Sequence, residues 1–525
     1  MLFQIIKNKI ELIYIRCNTI QKLLFLLCLD SCDIFKVKYK HMRKISIVFS
    51  IILISSFLIA DAKEKVVQKP CSNKSQELEI FYSDKNAQIN PALKTGLVYS
   101  EQMEISELLN LALQNNPKVH KAIFKSNASK TIIDQTKGLY FPELQLGSGF
   151  AKDKTNFQNE NINLYPRSFS DFMYGRISIS QLVYDFGTTS LKIKMAKDIY
   201  EASRIELDAV INNLIYDVRD KYYYLIFVKS QKNATEELYK EFQDHAKLIQ
   251  AHYKGHSEQI LCKCSGSGNI ADQSNLELNI AMSEKLINDA ENDLAITQAK
   301  LNNLIGLPYE APCNVVNEFS YEILEITPES LIKIANTSRP ELKYAQTQIE
   351  LAQKKEKSVI KELSPRINIF GSYGVGGASY ENDKYNNYSS YQIGTMFSTS
   401  WINPAIVHKK LLEAKFIKNY EQANALETAY NTYLEIQEAY INYNTAIKNV
   451  EKTKKNLEKS GKVLENFRKM YADGEDCYIH VGEFAFIFME SKIDYYKSLY
   501  KLNSSKAAMD KAVGKIITKE DIINL

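Results

Sequence analysis

Apolar positions along this chain change period in a fixed order, and the order occurs twice. Ile105, Leu108, Leu109, Ala112 and Leu113 recur at the spacing of a helix face. Alternation with period two follows. Leu144, Leu146, Ser148 and Phe150 fall on one side of a strand, with Glu143, Gln145 and Gly147 on the other. Met173, Ile177, Ile179 and Val183 oppose Arg176, Ser178 and Ser180. The second round opens at Thr327-Pro328-Glu329, a capping residue, a first-turn proline and an N-terminal acid. There Ile367, Ile369 and Tyr373 oppose Arg366, Asn368 and Ser372, and Ile393, Phe397 and Trp401 oppose Gln392, Gly394 and Ser398. The spacing predicts strands near 143–152, 173–183, 366–375 and 391–401. Each is close to the ~9–11 residues of a tilted membrane strand. Asn, Tyr, Ser, Asp and Lys fill 153–172 and 377–390, which reads as solvent loop. Two soluble hairpins would alternate in the same way, so the pattern alone leaves both readings open.

Long helices follow each strand pair. Leu207, Ile211, Leu214, Val218 and Leu225 keep a seven-residue seam interrupted only at Lys221. Leu276, Ile280, Ile287, Ala290, Leu294 and Leu301 keep another, with Ser283 and Thr297 at seam positions. No proline interrupts 188–307 or 405–525. Seams of this length mean coiled-coil packing, because such helices cannot bury their apolar faces alone. Each half breaks once, at Tyr253-Lys254-Gly255 and at Tyr471-Ala472-Asp473-Gly474. The runs end at Leu304-Ile305-Gly306-Leu307-Pro308 and at Ala512-Val513-Gly514. The tyrosines lie 218 residues apart and the closing glycines 208, so the first half holds about ten extra residues near its break, within His256–Gly268.

The text repeats along with the pattern. Leu108-Leu109-Asn110-Leu111-Ala112-Leu113-Gln114-Asn115-Asn116-Pro117 matches Leu331-Ile332-Lys333-Ile334-Ala335-Asn336-Thr337-Ser338-Arg339-Pro340. Phe141-Pro142-Glu143-Leu144 matches Ser364-Pro365-Arg366-Ile367, and both pairs of prolines are 223 residues apart. A unit this long is no small solenoid repeat. It divides the chain into repeats at 101–308 and 327–516, joined by a connector at 309–326, with a leading segment at 63–100 and a tail at 517–525. The expected fold is mixed α and β: an internal duplication of long antiparallel coiled-coil helices with four membrane strands.

Residues 1–62 change the charge picture. Met42-Arg43-Lys44, the apolar stretch Ile45–Ile59 and Ala60-Asp61-Ala62 form a signal peptide with cleavage after Ala62, which makes Met42 the expected start. The competing reading, an N-terminal anchor, needs ~20 apolar residues and the stretch is shorter. Removing nine basic and four acidic residues from the chain's 66 and 62 leaves 57 and 58. The basic balance belongs to the leader, so nothing favours nucleic acid. No comparable apolar run follows Ala62, so a membrane passage would have to be a β-barrel. Five cysteines remain, Cys71, Cys262, Cys264, Cys313 and Cys477, too few and too odd for a disulfide-built scaffold. Cys71 follows Lys69-Pro70, without the small apolar context of a lipid-modified cysteine.

Four phrases carry a family resemblance. They are Leu111–Pro117, Arg339-Pro340-Glu341-Leu342, Gln181-Leu182-Val183-Tyr184-Asp185-Phe186-Gly187 and Leu301–Pro308. Their order, spacing and duplication over roughly residues 100–516 resemble the TolC-like outer-membrane efflux proteins. The resemblance implies a homotrimer whose chains pool their strands in a twelve-stranded barrel in outer-membrane lipid, above a helical periplasmic tunnel. Four strands alone cannot close, since single-chain barrels start at ~8 strands. It implies a periplasmic adaptor and an inner-membrane ABC or proton-driven transporter as partners, in drug efflux or type I secretion. The Tyr184–Gly187 turn and Ser265–Asp272 look more like the secretion branch. Two departures stand out: Trp401-Ile402-Asn403-Pro404-Ala405 where the family has an apolar residue and glycines, and Gly474-Glu475-Asp476-Cys477-Tyr478-Ile479 where it has an Arg-Leu-Ser type of contact. The first fits a helix opening on Pro404; the second leaves the adaptor open. The resemblance places the periplasmic tips, and adaptor contact, at Gly255, Gly268 and Asp272 and at Gly474, Cys477 and Tyr478.

The remaining chemistry clusters at the breaks. His252, His256, Cys262 and Cys264 are zinc-ligand types without a standard finger spacing. Cys477 falls at the same end as Cys262 and Cys264, which leaves a disulfide between tips or free thiols as the alternatives. Asp473, Glu475 and Asp476, with Glu483 nearby, read either as a solvated turn or as entrance acids, since carboxylate rings favour cations. No G-x-S-x-G, P-loop or dinucleotide fingerprint is present, so no enzyme or cofactor is expected and the energy must come from a partner. The sequence therefore points to a passive outer-membrane exit duct. A non-transport coiled-coil protein of the envelope is the competing class, and four alternating segments set symmetrically before the helices disfavour it.

Overall fold

The structure, a computed structural model, describes residues 103–155, 168–254, 268–316, 319, 321, 323–380, 386–399, 403–473 and 478–517. All of them fall in one compact unit, Pro91–Leu525. The leader and Ala62 lie outside the described residues.

The elements run α1 (Ile105–Asn115), α2 (Pro117–Gly138), β1 (Glu143–Thr155), β2 (Ser168–Tyr184), α3 (Thr188–Lys254) and α4 (Gly268–Ile305). The same six kinds follow as α5 (Pro328–Ser338), α6 (Pro340–Lys361), β3 (Arg366–Tyr380), β4 (Asn386–Ser398), α7 (Pro404–Ala472) and α8 (Tyr478–Val513). The short helices match at 11 and 22 residues in both rounds, and α3 and α7 reach 67 and 69. At ~1.5 Å per residue each of these is about 100 Å long. Among the described residues no helix is long and apolar enough to cross a membrane.

Local chemistry sets the boundaries. Asn116 caps α2 through a side-chain oxygen that accepts from the Lys118 amide, with Pro117 in the first turn. Thr327 caps α5 ahead of Pro328, and Asn403 caps α7 ahead of Pro404, accepting from Ala405 and Ile406. A first-turn proline forfeits only an amide that the helix would leave unpaired. The repeated phrases meet in space at these breaks. Asn116 Nδ2 donates to the Leu304 carbonyl at the end of α4. Gly306 ends that helix at φ +75°, and a Cβ there would lie 2.6 Å from Asn115 Cβ. In the second half Gly514 holds φ +87°, and a Cβ would lie 2.8 Å from the Arg339 backbone. Each half thus closes by seating a left-handed glycine on the helix break before a proline.

Two cores mirror each other. Leu108 and Ala112 of α1 pack on Leu214, Val218 and Leu225 of α3 and on Leu301 and Ile305 of α4. Leu331 and Ala335 of α5 pack on Ile436, Ala439 and Tyr443 of α7 and on Leu502 and Met509 of α8. The seam hydroxyls Ser283 and Thr297 are fully buried, as their heptad positions require. The seam break at Lys221 is solved by polar contact: its ammonium meets Asp220 at 2.9 Å. Helix α3 also packs against α6 and α8, which joins the two halves.

The sheet departs from the expected limits. β1 and β2 run to Thr155 and from Ser168, and β3 and β4 run to Tyr380 and from Asn386. The loops at 153–172 and 377–390 are therefore shorter than their polarity implied. Backbone pairing continues through polar residues such as Asp153 opposite Ser170. A ladder needs amides and carbonyls, not apolar side chains.

Candidate functional site

Two surfaces remain once the cores are accounted for: the sheet, and the ends of the long helices farthest from it in the chain. The sheet is antiparallel in the order β1-β2-β3-β4. Its register puts the apolar positions of all four strands in common rows. Leu144 faces Ile179, which faces Gly371, which faces Ile393. Leu146, Ile177, Tyr373 and Tyr391 form the next row. These side chains form a contiguous exposed apolar patch, with Ile393 at 81% and Leu144 at 61%. The rows between hold Gln145, Ser178, Ser372 and Gln392, then Gly147, Arg176, Gly374 and Ser390. Over these rows one face of the sheet is apolar and the other polar. Among the described residues, neither β1 nor β4 has a strand on its outer edge.

Where β2 leaves the sheet, Tyr184-Asp185-Phe186-Gly187 folds into a built turn. Asp185 is buried and accepts from the Gly187 and Thr189 amides, at 3.1 and 2.6 Å. Phe186 and Gly187 take φ of 53° and 85°. Lys361 Nζ of α6 donates to the Phe186 carbonyl and the Thr188 hydroxyl to the Lys361 carbonyl, at 2.7 and 3.0 Å. The turn starts α3 and ties it to the second half in one motif.

Between the halves lies a buried polar layer that the periodicity did not reveal. Arg219 of α3 pairs with Asp510 of α8, the two side chains 12% and 4% exposed. Burial pushes the Asp510 carboxyl up, and Arg219 opposes that. Burial also works against Asp220, but hydrogen bonds from Lys221, Ser504 and Tyr500 outweigh it and hold its carboxyl below the usual range. A misregistered helix would strand these charges, so the layer fixes how α3 lies on α8.

The far ends form a third core. Leu238 and Phe242 of α3, Leu276 of α4, Leu464 of α7 and Tyr478, Val481, Ala485 and Met489 of α8 pack together. His245 stacks on Tyr478 at 3.3 Å and 8°, and its Nε2 lies 3.4 Å from the Tyr471 hydroxyl. Burial holds the imidazole well below its ordinary range, at about 4. Among the described residues the Tyr478 hydroxyl is buried without a hydrogen-bond partner, and burial, with Glu241 and Tyr471 adding, pushes the phenol up. Phe467 stacks on Phe484 at 4.1 Å, and Arg468 pairs with Glu241 across the hairpins. Gly482 keeps α8 close, since a Cβ there would meet Asn279 Nδ2 at 3.0 Å.

Of the residues expected at the tips, Tyr478 opens α8 and is 6% exposed, inside this core. Asp473 caps α7 and is exposed. Gly268 opens α4, with Asp272 in its first turns. His252 lies in the last turn of α3. Gly255, His256, Cys262, Cys264, Gly474, Glu475, Asp476 and Cys477 lie outside the described residues. Among the described residues no cluster could hold a metal ion, and Cys313 is buried and free.

Residues 108–307 match the model of the outer membrane efflux protein family. No curated protein matches the sequence. Solved structures do. The Campylobacter jejuni CmeC outer membrane channel is 14% identical, with a TM-score of 0.62 over 80% of this chain and 88% of that one. The outer membrane protein VceC of Vibrio cholerae is 14% identical, with a TM-score of 0.62 over 79% and 97%. The open state of the Neisseria gonorrhoeae MtrE outer membrane channel is 14% identical, with a TM-score of 0.64 over 79% and 90%. At such identities the likeness is one of fold.

Proposed function

We propose, for a chain whose family is that of the TolC-like outer-membrane efflux proteins, that it is the passive exit duct of an efflux or type I secretion system. Its two rounds of elements are an internal duplication. Three copies pool their four-stranded sheets into one closed barrel in the outer membrane, and their helices enclose a tunnel through the periplasm. The tips around Gly255, Gly268, Asp272, Gly474, Cys477 and Tyr478 meet a periplasmic adaptor, which links the duct to an inner-membrane ABC or proton-driven transporter. The duct binds no nucleotide and catalyses nothing; it gives the cargo a path.

One observation carries this reading: the shared apolar face of a sheet with two open edges. β1 and β4 are each 13 residues long, so the last strand of one copy can pair along the full first strand of the next. In a bilayer an unpaired edge costs several kcal/mol per exposed backbone group, and closure removes it. Polar rows on the opposite face then line water. Asp473, Glu475 and Asp476, tripled by the assembly, set an acidic ring at the periplasmic entrance. Purified protein added to a planar bilayer should give discrete conductance steps. Membrane-bound protein without conductance under any condition, adaptor present or absent, would favour a structural coiled-coil role.

A further inference from the structure

The sheet's apolar face ends at a belt of exposed rings. Phe141 is 71% exposed, Tyr184 54%, Tyr140 42% and Phe186 40%. Tyr140, Phe141 and Phe186 lie in the short connections where helix and strand meet, and Tyr184 ends β2 beside them. The two tyrosines carry amphipathic rings, which at such a border mark the level of lipid headgroups. Immediately below, in chain terms, the helix ends are rich in lysine. Residues 121–138, 188–206, 345–363 and 404–421 hold sixteen Lys and Arg against nine Asp and Glu. Most of the carboxylates are already used. Lys125 meets Glu206, Lys137 meets Asp134, Arg204 meets Glu201, Lys354 meets Asp198, Lys418 meets Glu356 and Lys410 meets Glu362. Pairing therefore leaves cations in surplus. Lys192, Lys194, Lys355, Lys357, Lys409 and Lys415 are exposed, and none has an ion pair among the described residues.

Their distance from the sheet is short. Lys192 lies about 6 Å along α3 from Thr188, Lys409 about 8 Å along α7 from Pro404, and Lys357 about 6 Å back from Lys361, at ~1.5 Å per residue. The Debye length is ~8 Å at physiological ionic strength. Free ammonium groups at that depth, beside an apolar surface and a ring belt, fit an anionic headgroup layer. Basic residues beside a membrane surface attract acidic lipids, and their long stems let the charge reach the interface.

We propose that this lysine collar is a binding surface for anionic phospholipid headgroups of the leaflet facing the periplasm. The proposal rests on the reading that the sheet lies in the membrane. The collar holds the barrel at a fixed depth and enriches acidic lipid around it. An alternative occupant of the same charge would be anionic cargo, if these lysines faced the tunnel.

The test uses full-length protein in nanodiscs of equal phosphatidylcholine and phosphatidylglycerol. Native mass spectrometry counts the lipids retained. Phosphatidylglycerol should exceed phosphatidylcholine about fivefold, and the ratio should fall towards one in the variant K192Q/K194Q/K357Q/K409Q. The control K452Q/K454Q/K459Q/K462Q neutralises as many exposed lysines far along α7 and should keep the wild-type ratio. Equal retention of both lipids by the wild type, or equal loss in both variants, overturns the proposal. So does a collar variant that changes the anion selectivity of conductance and leaves lipid retention unchanged. Co-flotation with vesicles after an alkaline wash reports separately on membrane residence. Its failure would sink the barrel reading, whereas flotation without lipid preference sinks only the collar.

Discussion

Protonating His245 should loosen the tip. Its imidazole is held at about 4, against an ordinary 6.5, because burial between Tyr471 and Tyr478 penalises the charged form. The sign follows from which state takes the proton first. As pH falls through about 6.5, the unfolded tip binds a proton that the folded tip refuses. The contribution of this site to stability is thus complete above that value and declines as pH drops towards 4. Amide protection in 238–246 and 478–489, corrected for intrinsic exchange, should fall between pH 7 and pH 4.5. His245→Phe keeps a ring in the stack and should abolish that dependence; an unaltered profile in the variant would assign it to other groups. The Tyr478 hydroxyl makes the opposite kind of prediction. A buried orphan polar group costs about 1–3 kcal/mol, so Tyr478→Phe should leave the tip as stable or stabilise it by about 1 kcal/mol. Marked destabilisation on thermal melting would mean that the hydroxyl gains a partner in the assembly. Tyr471 marked a helix break in the sequence and Tyr478 a tip, but nothing there linked His245 to them. His245 lies 226 and 233 positions from its neighbours, and only the register between two hairpins brings them together.

The elements follow local chemistry, which is why most of them could be read beforehand. Period-two alternation lies within each strand, except that Trp401, expected to end the fourth, lies outside the described residues and β4 stops at Ser398; the pairing brings apolar positions of all four strands into common rows. Heptad hydroxyls, cap residues before prolines and closing glycines were likewise local signals. What misled was loop polarity: 153–172 and 377–390 are polar along the stems of hairpins as well as at their turns, and side-chain chemistry does not separate the two. The Arg219–Asp510 pair was illegible for another reason, since a charge inside a seam looks the same whether it is solvated or paired across it. Two substitutions test the joints. Asp185→Ala removes the acceptor for two amides at the start of α3 and should cost about 1 kcal/mol, the ordinary value of such a cap. Gly514→Ala forces a side chain into φ +87° with its Cβ 2.8 Å from the Arg339 backbone. It should cost more, at least the ~1–2 kcal/mol of the left-handed conformation. Chemical denaturation ranks the two; an Asp185→Ala cost exceeding that of Gly514→Ala would contradict the account of how each half closes.

At the scale of the whole molecule the proposed duct has its sheet finished by other copies, and three predictions depend on that. In the proposed trimer, Asp473, Glu475 and Asp476 would contribute nine carboxylates to the entrance. The triple variant Asp473→Asn, Glu475→Gln, Asp476→Asn should lower cation preference, shift the reversal potential towards zero and leave assembly intact. Raised salt should mask the difference, as screening requires. An unshifted potential would reduce these acids to a solvated turn. The exposed rows on the sheet should admit apolar replacements and reject charge: Ile393→Lys should impair membrane assembly by about 2–4 kcal/mol if the site lies near mid-bilayer. Unimpaired assembly, followed by heat-modifiable gel mobility, would place that face in water. The most direct measurement is the mass of the complex extracted from membranes in mild detergent. Three chains per particle, persisting on dilution, is the result the pooled sheet predicts. A stable, membrane-inserted single chain would contradict it, because its two open edges would then have to survive in lipid unpaired.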